Sequence, residues 1–175
     1  METGTIDAKK MGLDFTLAAN AFIFLLENVP QDRYNEIPFE GSWTPGQVAD
    51  HVIKFLSGIV YVQQQPQVVT ERPVDQYEPV LKEIFLDFGK KFNAPPNAVP
   101  GNGPFDRQHQ VAQIKKRVQE IIENITGDRL EKLYTGVPFP TLAEFTGLEW
   151  ICFGTYHLRR HTHQLEHICS IYQAA

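Results

Sequence analysis

Thr44-Pro45-Gly46-Gln47-Val48-Ala49-Asp50-His51-Val52 is the stretch from which the architecture can be read. Threonine supplies an N-cap, proline occupies the first helical position where its missing N–H costs nothing, and glutamine stands where a capping box needs its return bond. A helix therefore starts sharply at Pro45. Within it Val48, His51, Val52, Phe55, Ile59 and Val62 form one apolar stripe, which predicts that His51 lies among core positions. Gln63-Gln64-Gln65-Pro66 ends the helix.

Outward from this segment, three more long helices are expected. The first runs from about Ile6 to Asn28, with Leu13, Leu17 and Phe24 recurring at helical spacing until Val29-Pro30 stops it. Another spans about Asp106 to Asn124, with Val111, Ile114, Val118, Ile121, Ile122 and Ile125 on its apolar side. The last opens at a second capping box, Thr146-Gly147-Leu148-Glu149, and continues to about Tyr172. A shorter helical piece is expected from Val80 to about Lys90. The Pro- and Gly-rich run from Asn93 to Pro104 cannot sustain regular structure and reads as a long loop or lid. Between Arg129 and Phe145 the run from Leu133 to Pro140 reads as extended and turn-rich, with prolines that weigh against a regular hairpin. Four long helices without a series of alternating strands indicate an all-α helical bundle, a single domain over residues 1–175.

Composition narrows the function classes. The chain has 175 residues, 42% of them hydrophobic, enough for a proper core, and a net charge of −5, which argues against a nucleic-acid footprint. Short basic clusters such as Lys115-Lys116-Arg117 are diluted by neighbouring acids. No basic stretch followed by an apolar run and a cleavage site opens the chain, and the richest apolar run, Ala18 to Leu26, is too short to span a bilayer. A soluble, cytoplasmic protein without membrane association is expected. Cys152 and Cys169 fall on the same predicted helix about 25 Å apart, too far to pair, and read as small buried or half-buried thiols.

The last helix carries Tyr156-His157-Leu158-Arg159-Arg160-His161-Thr162-His163-Gln164. His157 and His161, four residues apart, stack on one face about 6 Å apart along the axis. They align with Gly154, Gln164 and Ile168, flanked by Ile151, Leu158 and Leu165, so this face is predicted to look inward. His163 and His167 share a polar face and are expected to be exposed. Two imidazoles leave a tetrahedral ion short of ligands, and His51 is the candidate third. One inward histidine is ordinarily satisfied by hydrogen bonds alone; three on inward stripes of two helices are harder to bury without a shared partner. Gly154 is expected to leave room for a metal and a substrate. Leu158 stands where a zinc protease of the HExxH type needs its glutamate, which argues against peptide hydrolysis by that route.

Ser42-Trp43-Thr44-Pro45-Gly46-Gln47-Val48-Ala49-Asp50-His51-Val52 resembles the second-helix entrance of the DinB-like family, which includes YfiT-type proteins classed as metal-dependent hydrolases. The run from Tyr156 to Leu165 resembles that family's final-helix pattern of histidine, three residues, histidine, two residues, glutamine. The resemblance implies an up-down-down-up four-helix bundle with a long crossover, often a homodimer. It also implies a divalent metal, zinc or nickel, held by His51, His157 and His161, and chemistry in which the metal activates a low-molecular-weight thiol for transfer or isomerisation.

Three neutral histidines would leave such an ion charged and with an open position, where bound water loses a proton near neutral pH and a thiol is held as thiolate. The expected activity is that of a thiol S-transferase or hydrolase on a small electrophilic substrate; a noncatalytic metal- or ligand-binding bundle is the alternative. Gln164 is expected to orient a histidine or the metal's ligand from behind. Asp50 points about 100° away from His51 and is expected to face solvent. Trp43 reads as an anchor for the helix entrance, and Trp150 and Phe153 as pocket lining or, by preference, core.

Overall fold

The computed structural model describes residues 6–140 and 142–174 and is mostly helical. Six helices occur in the order α1 (Ala8–Asn28), α2 (Pro45–Val62), α3 (Glu78–Leu86), α4 (Arg107–Glu123), α5 (Gly127–Glu131) and α6 (Gly147–Ala174). Among the four longest, α1 packs on α6 and α4, and α2 packs on the same two, so each has two long neighbours. A single cluster of buried apolar side chains runs through them. No helix among the described residues is long and apolar enough to cross a membrane.

Caps explain where these helices begin. Asp7 accepts from the Lys10 amide and starts α1 at Ala8, and Asp106 does the same for α4 through His109. Both capping boxes form as the sequence predicts. Gln47 Oε1 accepts from the Thr44 amide while Thr44 Oγ1 accepts from the Gln47 amide, and Thr146 and Glu149 exchange the same pair of bonds.

The observed elements refine the expected ones. Leu13, Leu17 and Phe24, which signalled the first helix, lie on its exposed side, while Phe15, Ala18, Ala19, Phe22, Ile23 and Leu26 are buried. Leu13, Leu17 and Phe24 share that exposed side with Lys9, Lys10, Asn20 and Glu27, so apolar spacing identifies the helix and its charged positions mark the outer face. The α3 helix starts at Glu78 and stops at Leu86, earlier at both ends than predicted. Pro79 is tolerated in the first turn, and Asp87 turns extended. Before the run read as extended lies the one-turn α5; within that run Leu133–Tyr134 is extended, as read, and forms no local hairpin but an antiparallel two-residue ladder with Gln67–Val68.

The start of α6 is held from two sides. The fully buried Glu149 carboxylate receives both terminal nitrogens of Arg72, at 2.9 and 2.6 Å, and the Tyr77 amide at 2.7 Å, tying the segment before α3 to the first turn of α6. Beside it, Gly147 sits so close to α5 that a Cβ there would collide with the Arg129 carbonyl. This fixes where α6 enters, and with it the height of the histidines further along.

Candidate metal centre

His51 on α2 and His157 and His161 on α6 converge between the two helices, with one ring nitrogen from each lying within 4.8 Å of the others. The ring centroids of His51 stand 5.3 Å from His157 and 4.7 Å from His161. Helical spacing of four accounts for the second pair, 4.7 Å apart and nearly stacked. Only the packing of α2 on α6 brings His51 to them.

Hydrogen bonds behind the rings set the tautomers. His51 Nδ1 lies 2.7 Å from the Ala98 carbonyl, which can only accept, so this nitrogen carries the proton and Nε2 turns its lone pair to the cluster. His161 Nδ1 lies 2.8 Å from Gln164 Oε1, which likewise leaves His161 Nε2 unprotonated. That Nε2 is buried and has no hydrogen-bond partner among the described residues. The Nε2 atoms of His51 and His157 are 3.3 Å apart. Nitrogens bound at about 2.0–2.1 Å to one tetrahedral ion stand about 3.3–3.4 Å from each other. An orphaned buried lone pair beside nitrogens at that separation is what a divalent ion would satisfy, so the donor set fits a metal.

Electrostatics favour the ligand form. Burial pushes the His161 pKa down to about 3, helped by the like charge His51 would carry and opposed by the Gln164 bond. Burial also drives His157 well below its ordinary value, assisted by His161, His51 and Arg160, and lowers His51 against the pull of the Ala98 bond. All three imidazoles are therefore neutral near pH 7, the state in which they bind metals.

His157 is held differently from the other two. Its Nδ1 has no hydrogen-bond partner among the described residues. Its ring is stacked flat on Phe55, 4.4 Å between centroids and 8° between planes, and met by Phe85 at 5.0 Å and Phe153 at 5.1 Å. Trp43 approaches His51 at 5.2 Å. Trp43, read from the sequence as a helix anchor, thus belongs to the wall of the site, and Phe153 joins that wall from the core. Phe55 follows His51 by one turn on the same stripe, a legible signal; Phe85 comes from α3 and has none.

Other residues singled out from the sequence fall elsewhere. Gly154 makes no room at the site. A Cβ there would approach Ile59 Cδ1 to 2.8 Å and Phe15 to 3.0 Å, so its lack of a side chain serves the close packing of α6 on α2 and α1. His163 and His167 are exposed, stacked on Phe88 and edge-on to Phe39. Cys152 is buried and its thiol pushed up to about 12 by burial, which leaves no nucleophile at neutral pH. Asp50 does not simply face solvent. It accepts from the Gly101 amide at 2.8 Å and pairs with Lys54 at 2.8 Å.

The family model of the DinB superfamily matches residues 14–165. An uncharacterized protein of Bacillus subtilis (strain 168), YuaE, is 22% identical over 143 residues, covering 82% of this chain and 87% of its own length. No solved structure matches the chain.

Proposed function

We propose that this chain, which belongs to the DinB superfamily, is a divalent-metal-dependent enzyme acting on a small electrophile, with His51, His157 and His161 as the metal ligands through Nε2. The observation that carries the reading is the buried, unpartnered Nε2 of His161 next to the 3.3 Å pair formed by His51 and His157. Zinc and nickel both suit an all-imidazole set. When bound, such an ion supplies Lewis acidity and lowers the pKa of a coordinated thiol or water.

The chain's own residues do the rest. Ala98 and Gln164 fix two of the ligands in the metal-binding tautomer, and Phe55, Phe85 and Phe153 give the third an apolar wall. Those rings exclude water from one side of the centre and favour an apolar reacting group there. The expected class is a thiol S-transferase or hydrolase. The mutual packing of α1, α4, α2 and α6 supports an up-down-down-up four-helix bundle forming one domain, and the proposal includes a homodimer in the cytoplasm without nucleic-acid partners.

A noncatalytic metal-binding bundle is the second reading. The cluster consists of imidazoles alone, and Asp50, the carboxylate beside His51 in sequence, is engaged by Gly101 and Lys54. The test is metal content by mass spectrometry of protein purified without a histidine tag, beside His51→Ala. About one zinc or nickel per chain, absent from the variant, is expected. Thiol-transfer and hydrolysis assays on the loaded protein then separate the two readings. A parent that takes up neither zinc nor nickel overturns both.

A further inference from the structure

The loop between α3 and α4 passes over the outer end of the histidine cluster, and one face of α2 grips it. Gln47, Asp50, His51 and Lys54 lie at helical spacings of three, four and seven, and all four reach the loop between Ala98 and Gly101. Gln47 Nε2 donates to the Gly101 carbonyl at 3.2 Å, and Asp50 accepts from the Gly101 amide at 2.8 Å. Lys54 Nζ donates to the Val99 carbonyl at 2.7 Å and pairs with the same Asp50 oxygen at 2.8 Å. Immediately before these latched residues, the Ala98 carbonyl meets His51 Nδ1.

Asp87 to Asp106 holds no regular structure beyond the 3-10 turn at Pro96–Ala98, so nothing internal to the loop places one carbonyl to within a few tenths of an ångström. The latches just beyond it, at Val99 and Gly101, do. We propose that Asp50 and Lys54 are positioning residues for the metal ligand His51, acting through the 98–101 loop to hold the Ala98 carbonyl on its Nδ1. The segment read from the sequence as a lid is, at this point, a fixed backing for a ligand. The inference rests on the reading of the triad as a metal site.

Charge and position predict opposite signs at Lys54, which makes the inference testable. Removing a nearby positive charge should tighten binding of a cation if electrostatics alone counts. Releasing the loop should weaken it, because loss of a ligand's outer hydrogen-bond partner typically costs about 10–100-fold in metal affinity. The experiment is zinc affinity by competition with a chromophoric chelator, together with the visible absorption of cobalt(II)-loaded protein. Parent, Asp50→Ala, Lys54→Met and Lys54→Arg are compared at one pH and ionic strength.

About a tenfold weaker affinity in both Asp50→Ala and Lys54→Met is expected, with an altered cobalt spectrum and recovery in Lys54→Arg, which still donates to Val99. The Lys54 side chain is one-third exposed, so its variants serve should Asp50→Ala fold poorly. Unchanged or tighter zinc binding in Lys54→Met overturns the positioning role and leaves the metal site standing. A parent that binds neither zinc nor cobalt overturns the metal reading and the inference with it.

Discussion

His161 donates its Nδ1–H to Gln164 Oε1 across 2.8 Å, one turn further along α6, and this bond leaves His161 Nε2 as a bare, buried lone pair aimed at His51 and His157. The amide oxygen thus decides which nitrogen of a buried ring is available. Gln164→Leu should weaken zinc binding by about 10–100-fold with the helix intact, whereas Gln164→Glu, a stronger acceptor, should retain it. Isothermal titration of the two variants checks this; equal affinities would remove Gln164 from the site.

Acid should destabilise the metal-free protein. The three imidazoles have folded pKa values below the ordinary 6.5, His161 at about 3, so the unfolded chain binds more protons than the folded one below pH 6.5. Their contribution is whole above pH 6.5 and is lost as pH falls towards 3, at about 1.4 kcal/mol per pH unit for each ring kept neutral. Urea midpoints measured from pH 7.5 to 4.5 should fall steadily, and less steeply in His161→Gln.

Arg72 and Glu149 make a structural prediction away from the histidines. Glu149 is fully buried and its charge is balanced by the bidentate guanidinium, so Arg72→Ala should cost about 3–5 kcal/mol through an uncompensated carboxylate. Arg72→Lys should recover only part, because an ammonium cannot match the two-pronged geometry. Thermal melts of the two variants give the comparison, and a loss under 1 kcal/mol in Arg72→Ala would show the carboxylate is satisfied without it.

Gly147 is constrained by backbone. The atom that blocks a Cβ there is the Arg129 carbonyl, which no side-chain rotation can move, so Gly147→Ala should destabilise by about 1–3 kcal/mol through displacement of α5 from α6. The gain in helix propensity, about 1 kcal/mol, offsets part of this. Denaturant unfolding of the single variant measures the net effect; a variant more stable than the parent would mean that α5 is free to shift.

Local signals in the chain determined most of the helices. Thr44, Gln47, Thr146 and Glu149 announce two helix starts because a cap needs only residues within one turn, and the same reach makes the His157–His161 pair legible from spacing alone. His51 was readable as inward because its stripe has a polar side to contrast with. In α1 the apolar positions Leu13, Leu17 and Phe24 share the exposed face with Lys9, Lys10, Asn20 and Glu27, so their spacing marks the helix without by itself naming its inner face. Everything that depends on two distant segments was decided by tertiary structure. Packing of α2 on α6 joins His51 to the other two histidines, and it turns Gly154 from an opening at the site into a close helix contact. The α3 helix, itself legible in the sequence, supplies Phe85 to the site through packing that no local signal announces. The 98–101 loop, irregular and proline-rich, acquires one defined position only because the outer face of α2 presents Gln47, Asp50 and Lys54 to it, and hydrogen bonds between residues some fifty positions apart leave no trace in local periodicity.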